Sequence, residues 1–315
     1  MEYKVLGNTG IKVSELCFGA LTIGPLQSNL SIEDGGSLIL KSLERGINFI
    51  DTAEQYQTYE YIRYAFDRYN GLPVIAIKSL AKDYSGMKNS IEKSLQALNR
   101  EYIDIFKLHA ARASLDVFEE RSEALECLID YKKKGYIRAI GISTHNVKVV
   151  KKASEIKEID VVFPLINKTG RGILDGTKED MLRAIEKAHN NGKGTYAMKV
   201  LVGGYLIGDL IDAIAYVRGI RSIDSIAIGM VSEKELELNL KVFNNEVIEE
   251  SMLPNMSTKK LLITEFFCKK CGACLKVCPN NALTLGEHSV EVNHTKCLLC
   301  GYCLPECSEL AIRII

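Results

Sequence analysis

Eight of the ten cysteines in this 315-residue chain lie between residue 268 and its end, in two runs of the same spacing. The first is Cys268, Cys271, Cys274 and Cys278, followed by Pro279; the second is Cys297, Cys300, Cys303 and Cys307. Three thiolates two residues apart can wrap three irons of one cubane, while a fourth carried past a turn reaches a neighbouring cluster. Zinc ribbons pair CxxC with CxxC and want four ligands per metal, which blocks of three plus one fit poorly, and disulfides are the other weaker alternative. The spacing points to two [4Fe–4S] clusters. Between the runs, ALTL and SVEV alternate around Gly286 and predict a small hairpin.

From Phe266 to Ile315 the chain resembles the bacterial two-cluster ferredoxins. The resemblance implies one cluster on Cys268, Cys271, Cys274 and Cys307, and a second on Cys297, Cys300, Cys303 and Cys278. The second run departs from the pattern in having Ser308 where the first has Pro279. That weakens a turn signal and removes no ligand.

A ferredoxin-sized segment leaves roughly 250 residues, the usual size of one α/β barrel. Forty basic and forty acidic side chains cancel, and Trp is absent, so neither nucleic acid nor a membrane surface is suggested as a partner. The longest apolar runs are too short to span a bilayer, and MEYKVLGNTG has no apolar signal core. A cytoplasmic location is expected, in agreement with thiolates that must stay reduced to hold iron. Cys17 and Cys127 lie in the apolar contexts LCFGA and ALECLI and read as buried small hydrophobes.

Between residues 15 and 245 short β-branched runs alternate with amphipathic ones. The strand candidates are LCFGAL, NFIDTA, VIAIKSL, IDIFKLHA, IRAIGIST, DVVFPLIN, TYAMKV and SIAIGM. Between them, segments such as IEDGGSLILKSLERG, MKNSIEKSLQALN, RSEALECLIDYKKKG, EDMLRAIEKAHNNG and SEKELELNLKVF repeat apolar residues at three and four and predict helices. Eight such pairs in alternation predict a parallel sheet covered by helices, and eight strands close a barrel. An open doubly wound sheet would carry GxGxxG after its first strand, and LCFGALTIGP has none. The expected architecture is a (β/α)8 TIM barrel over 1–247, a linker over 248–262 containing Pro254, Asn255 and Ser257, and a small α+β ferredoxin-like domain over 263–315.

Catalysis in such barrels sits where strands end. Asp51 closes the second strand, Tyr56 follows it by five residues, Lys78 is near the end of the third strand and His109 near that of the fourth. An ammonium beside a phenol favours the phenolate and lowers its pKa from about 10. Lys78 would act so on Tyr56, Asp51 would keep Lys78 charged, and a neutral His109 would orient a carbonyl oxygen. The set reads as a proton donor for a carbonyl.

In this setting the chain resembles the aldo-keto reductases over residues 3 to 245, through LGNTGIKVSELCFGA, GINFIDTAEQY, IAIKS, IDIFKLHAA and GYIRAIGIST. The resemblance implies a (β/α)8 barrel, Tyr56 as general acid tuned by Lys78 and Asp51, and His109 in the substrate site. It places a nicotinamide cofactor against Ser143, Thr144, Met198, Lys199, Gly229 and Asn239, with several departures from the family pattern. Thr144 stands for the usual Asn, Phe163 for a Gln that reads the amide, and Met198 for a stacking aromatic. After the eighth strand, GMVSEKELELN puts Val231 and Glu235 where cations that hold a 2′-phosphate are expected, with Lys234 alone remaining. Binding of NADPH is therefore expected to be weak.

Three readings stay open. One is a reductase of a small carbonyl compound fed through the clusters by a ferredoxin or other redox protein, with NAD(P)H as a further source. A second is ordinary NAD(P)H-dependent reduction with structural or redox-sensing clusters. A third is an electron-transfer module whose barrel catalyses nothing.

Overall fold

The structure is a computed structural model that describes residues 1–255 and 259–315, so Ser257 of the expected linker lies outside the described residues. It opens with a hairpin, β1 (Tyr3–Val5) and β2 (Lys12–Ser14). Next come eight parallel strands: β3 (Leu16–Gly19), β4 (Phe49–Asp51), β5 (Val74–Ser79), β6 (Ile103–His109), β7 (Ile137–Thr144), β8 (Val161–Pro164), β9 (Gly194–Ala197) and β10 (Ser225–Ile228). They close in chain order, with β10 pairing back onto β3. The expected barrel is present, one strand at each of the eight runs, with β9 beginning at Gly194, one residue before TYAMKV.

Every residue of β5 and β6 is buried, as a sheet covered on both faces requires. The covering helices are α1 (Ile32–Glu44), α2 (Tyr59–Phe66), α3 (Tyr84–Leu98), α4 (Val117–Glu120), α5 (Ser122–Lys133), α6 (Val147–Ala153), α7 (Lys178–Asn190), α8 (Leu210–Arg218) and α9 (Glu233–Phe243). Local chemistry fixes several of their starts. Ser31, Asp83, Asn146 and Ser232 each accept an N-terminal backbone N–H, and Thr177 with Asp180 forms a capping box.

The hairpin was not foreseen from the sequence. Leu6, Ile11 and Val13 on and beside it pack with Cys17, Phe49 and Tyr196 inside the barrel, closing its N-terminal end. Cys17 and Cys127 are fully buried, as expected of small hydrophobes.

The C-terminal region contains β11 (Leu261–Ile263), α10 (Ala273–Lys276), β12 (Leu283–Leu285), β13 (Val290–Val292), α11 (Cys303–Glu306) and β14 (Ile312–Ile314). β12 and β13 form the expected hairpin, closed by Gly286 N–H donating to Ser289 O at 2.8 Å. β11 pairs antiparallel with β14, so the first strand of this region takes in Leu261 and Leu262 from the stretch assigned to the linker.

Strand periodicity gives β14 two jobs. Ile312 and Ile314 enter the small core of the C-terminal region, whereas Arg313 points the opposite way, toward the barrel. The contact between the two regions is apolar and ionic together. Leu310 packs with Leu165, Val202 and Leu206, while Arg112 donates to Ser308 O and pairs with Glu309 at 3.2 Å. The second cysteine run thus has, in place of a proline, a serine whose carbonyl anchors it to the barrel. Gly203 and Gly204, in the loop after β9, adopt φ of 65° and 96°, and a Cβ there would meet Arg313 Nη1 at 2.6 Å and Ile314 O at 2.5 Å. The glycine pair lets β14 lie across the mouth.

Candidate active site and cysteine chambers

Asp51 ends β4, and its carboxylate is held between two ammonium groups. Lys78 Nζ donates to Oδ1 and Lys107 Nζ to Oδ2, and the Tyr196 hydroxyl adds a hydrogen bond to Oδ2 at 2.8 Å. Lys78 and Lys107 are register partners on β5 and β6, so two cations stand side by side in the barrel. Neighbouring like charges would repel, and Asp51 neutralises one of them. Lys78 also donates to Thr52 O at 2.9 Å.

Burial alone would raise the Asp51 carboxyl, but Lys107 and Lys78 outweigh it and hold the group below the usual carboxylate range. Burial would lower Lys78, and Asp51 reverses that, leaving the ammonium more basic than usual. Lys107 goes the other way: burial dominates, Lys78 adds to it, and its pKa falls to about 8.

Tyr56 lies 9% exposed above this cluster, with Lys78 Nζ 4.8 Å from its ring centroid. The expected fall in its pKa is not found. Burial raises the phenol above its usual value, and the Lys78 ammonium offsets only part of the rise. The cause is depth: the ring lies under protein instead of at a solvated strand end, so the phenolate loses more hydration than one cation returns. Tyr56 is therefore protonated at neutral pH, the form a proton donor needs.

The His109 ring meets Tyr56 edge to face at 6.1 Å between centroids, and Gln55 Nε2 faces its Nδ1. Burial, seconded by Lys78, pushes the imidazole well below its usual pKa, so it is neutral, as expected. Asp51, Tyr56, Lys78 and His109 are thus neighbours at one end of the barrel.

The positions assigned to a nicotinamide divide. Met198, Lys199, Gly229 and Asn239 line one cavity of about 220 Å³, together with Asp51, Tyr56 and Phe163. Ser143 and Thr144 are fully buried and do not line it, and the Thr144 hydroxyl accepts Asn146 N–H at 3.1 Å within the turn that follows β7. Phe163 stacks on Tyr196 at 4.0 Å and 15°, with Lys107 4.6 Å from its ring centroid, so it serves the interior of the barrel. Glu235 lines the cavity too, but Lys259 neutralises it at 2.9 Å and Val231 N–H binds it at 2.9 Å, which removes much of the repulsion expected there.

The sequence reading missed Lys107, Tyr196, Gln55 and Arg313. For Lys107 a signal existed, because it precedes His109 by two on one strand and so shares its inward face. Arg313 gave none. It reaches the cavity from the other end of the chain, 3% exposed, and two of its guanidinium nitrogens, Nε and Nη1, have no hydrogen-bond partner.

In the C-terminal region the cysteines surround two small chambers. Cys268, Cys271, Cys274 and Cys307 line one, and Cys278, Cys297, Cys300 and Cys303 line the other. Backbone N–H groups of Ala311 and Ala282 donate to Cys307 Sγ at 3.3 Å and to Cys278 Sγ at 3.2 Å. Among the described residues no three His, Cys, Asp or Glu side chains are placed to hold a metal ion directly. Four sulfurs around a void suit a multi-atom cluster better than one ion bound at about 2.3 Å.

The model of the "Aldo/keto reductase family" matches residues 15–218, and that of the "4Fe-4S dicluster domain" matches residues 267–311. Among curated proteins, the uncharacterized oxidoreductase YqkF of Bacillus subtilis is 28% identical over 53% of this chain and 58% of its own. L-galactose dehydrogenase of Arabidopsis thaliana is 27% identical over 65% of this chain and 67% of its own. The chain therefore spans little more than half to two thirds of the length of these relatives. The aldo-keto reductase AKR11C1 from Bacillus halodurans, in its holo form, shares the fold with a TM-score of 0.65 at 19% identity, over 80% of this chain and 94% of that one. Among the described residues no helix is long and apolar enough to cross a membrane.

Proposed function

Since this chain is an oxidoreductase of the aldo/keto reductase family with a 4Fe–4S dicluster domain attached, we propose that it reduces a small carbonyl compound with electrons drawn from the clusters. One observation carries this reading: β14, at the end of the cluster domain, contributes Arg313 and Ile314 to the lining of the same cavity as Tyr56. The domain that would hold the electron carriers forms part of the active-site wall. A structural or sensing domain would have no need to reach there.

Each chamber has the donor set for one [4Fe–4S] cluster, three cysteines of one run and the last of the other, and we assign two clusters on that basis. When bound, such clusters supply electrons singly, from a reduced ferredoxin-type donor. Overall, a carbonyl takes two electrons and two protons to become an alcohol. Tyr56 gives the proton to the carbonyl oxygen, solvent supplies the other proton, and neutral His109 holds the oxygen in place. Lys78, kept charged by Asp51, supports the phenolate left behind.

Lys107 and Tyr196 are positioning residues, since they fix the carboxylate on which Lys78 depends. The cavity of about 220 Å³ is small beside the roughly 300–1,000 Å³ of typical ligand sites. Titration of anaerobically purified protein with NADH, NADPH and reduced ferredoxin, followed by visible absorbance, tests the assignment. Reduction by ferredoxin and by neither nucleotide is expected. Nucleotide oxidation by an aldehyde with the clusters spectroscopically silent would replace this reading with a nicotinamide-dependent one.

A further inference from the structure

Two cations at the mouth have no anion. Lys199 and Arg313 line the cavity with Tyr56, and no carboxylate lies within 4 Å of either among the described residues. Of the other cations near the reacting end, Lys78 and Lys107 share Asp51, Lys259 holds Glu235 and Arg112 holds Glu309, while Arg121, which does not line the cavity, donates to His109 O. Arg313 is 97% buried by the 3% exposure of its surface, and Nε and Nη1 are without partners. A buried guanidinium with unused donors is costly unless something binds it, and an anion entering the cavity would meet that need.

The backbone is shaped to keep the cations there. Lys199 adopts φ of 63°, a left-handed conformation unusual for a side-chain-bearing residue, at the start of the loop whose Gly203 makes room for the guanidinium. Burial, seconded by Arg313 and Lys78, pushes the Lys199 ammonium well below its usual pKa, and burial brings Arg313 down to about 10 against the opposing pull of Tyr56 and Cys307. His145, neutral and 6% exposed, adds no negative charge.

We propose that Arg313, with Lys199, binds a carboxylate on the substrate, and that the carbonyl compound is a short oxo acid whose ketone or aldehyde oxygen faces Tyr56 while its carboxylate faces the guanidinium. Arg is suited to this, because its planar fork donates to both carboxylate oxygens at once. Arg313 is near enough to Tyr56 for its charge to act on the phenol, which favours a substrate whose carbonyl and carboxylate are close together. The cluster domain then supplies a specificity residue as well as electrons.

This inference rests on the cavity being the carbonyl site, and its test needs no electron transfer. Calorimetry of oxidised, anaerobically purified holoprotein compares 2-oxobutyrate with 2-butanone, which differ by the carboxylate. The oxo acid alone should bind. Arg313→Met should weaken it by about ten- to hundredfold, the range of a hydrogen bond to a charged group, and Arg313→Lys should recover part of the loss. Lys199→Met, in the barrel and away from the cysteines, should also weaken binding and serves if the Arg313 variants lose iron. Tyr56→Phe, which removes one neutral hydrogen bond to the carbonyl oxygen, should weaken oxo-acid binding less than Arg313→Met does. Equal binding of acid and ketone overturns the proposal. So does an Arg313→Met that shifts cluster potential yet keeps oxo-acid affinity, which would make Arg313 a counter-charge to the cluster ligands. A loss of NADPH affinity in that variant with oxo-acid affinity intact would assign the cations to a dinucleotide diphosphate instead. If oxo acids bind as expected but ferredoxin reduces nothing, the electron route fails and the substrate class stands.

Discussion

The barrel and the C-terminal region are held together by different means. A continuous apolar core from all eight strands and their helices fills the barrel, with more than fifty buried side chains in its main cluster. The C-terminal region has a core of eight, two of which are Cys274 and Cys303; Cys268, Cys278, Cys297 and Cys307 pack against it, while Cys271 and Cys300 are exposed. Burial raises Cys274 to about 11 and Cys303 to about 12, so as bare thiols they stay protonated. One region folds by removing apolar surface from water; the other gives two of its eight core positions to cysteines, and ligation is expected to supply what so small a core lacks. The proposed active site lies where the two meet, so its integrity should depend on the weaker one.

The largest effect that would test this division is on turnover. Tyr56→Phe should lower carbonyl reduction by roughly 10²–10⁴-fold while leaving iron content and thermal unfolding nearly unchanged. Normal turnover would place the chemistry outside the barrel mouth.

Removal of iron by a chelator under reducing conditions should then separate the regions. The C-terminal residues should lose amide protection from exchange while those of β5 and β6 keep theirs. Single substitutions sharpen the point: Cys278→Ala should damage the cluster held mainly by the second run, and Cys274→Ala that of the first. Loss confined to the run that carries the substitution in Cys278→Ala would refute the crossed ligand sets.

A smaller effect belongs to the seam. Leu310→Ala removes the apolar contact with Leu165, Val202 and Leu206 and should destabilise the docked domain by about 2–5 kcal/mol. It should leave the barrel's own transition in place. Unfolding monitored separately by cluster absorbance and by far-UV circular dichroism checks this, and a common shift of both signals would show the two regions to be one cooperative unit.

The smallest concerns Lys107. Its pKa is about 8 in the native state against a usual 10.5, so between those values the unfolded chain holds more protons. Stability should therefore rise with pH through that window, and the destabilising contribution of this lysine is fully present below it. In Lys107→Met that rise should be absent from the barrel transition. An unchanged pH dependence would mean that Asp51 keeps Lys107 protonated throughout.

Much of this could be read from the chain alone, for a physical reason. Alternating periods of two and near four give a barrel because each run must bury its apolar side locally, and the cysteine spacing gives cluster ligands because cubane geometry is short-range. Asp51, Tyr56, Lys78 and His109 were legible because strand ends of one barrel converge. The sign of the Tyr56 shift was not, since it depends on how deep the ring lies, and depth is decided by what covers the mouth. Nor was the Lys107 and Tyr196 support of Asp51, which needs the register of β5, β6 and β9.

The sequence by itself determined two folding units and the chemical types within them. Only the tertiary structure decided that the last strand of the second unit closes the mouth of the first. Arg313 and Tyr56 share a cavity although most of the chain separates them, and no local pattern encodes that. It follows from an interface built of Leu310, Arg112 and two left-handed glycines, whose meaning appears only when both units are docked.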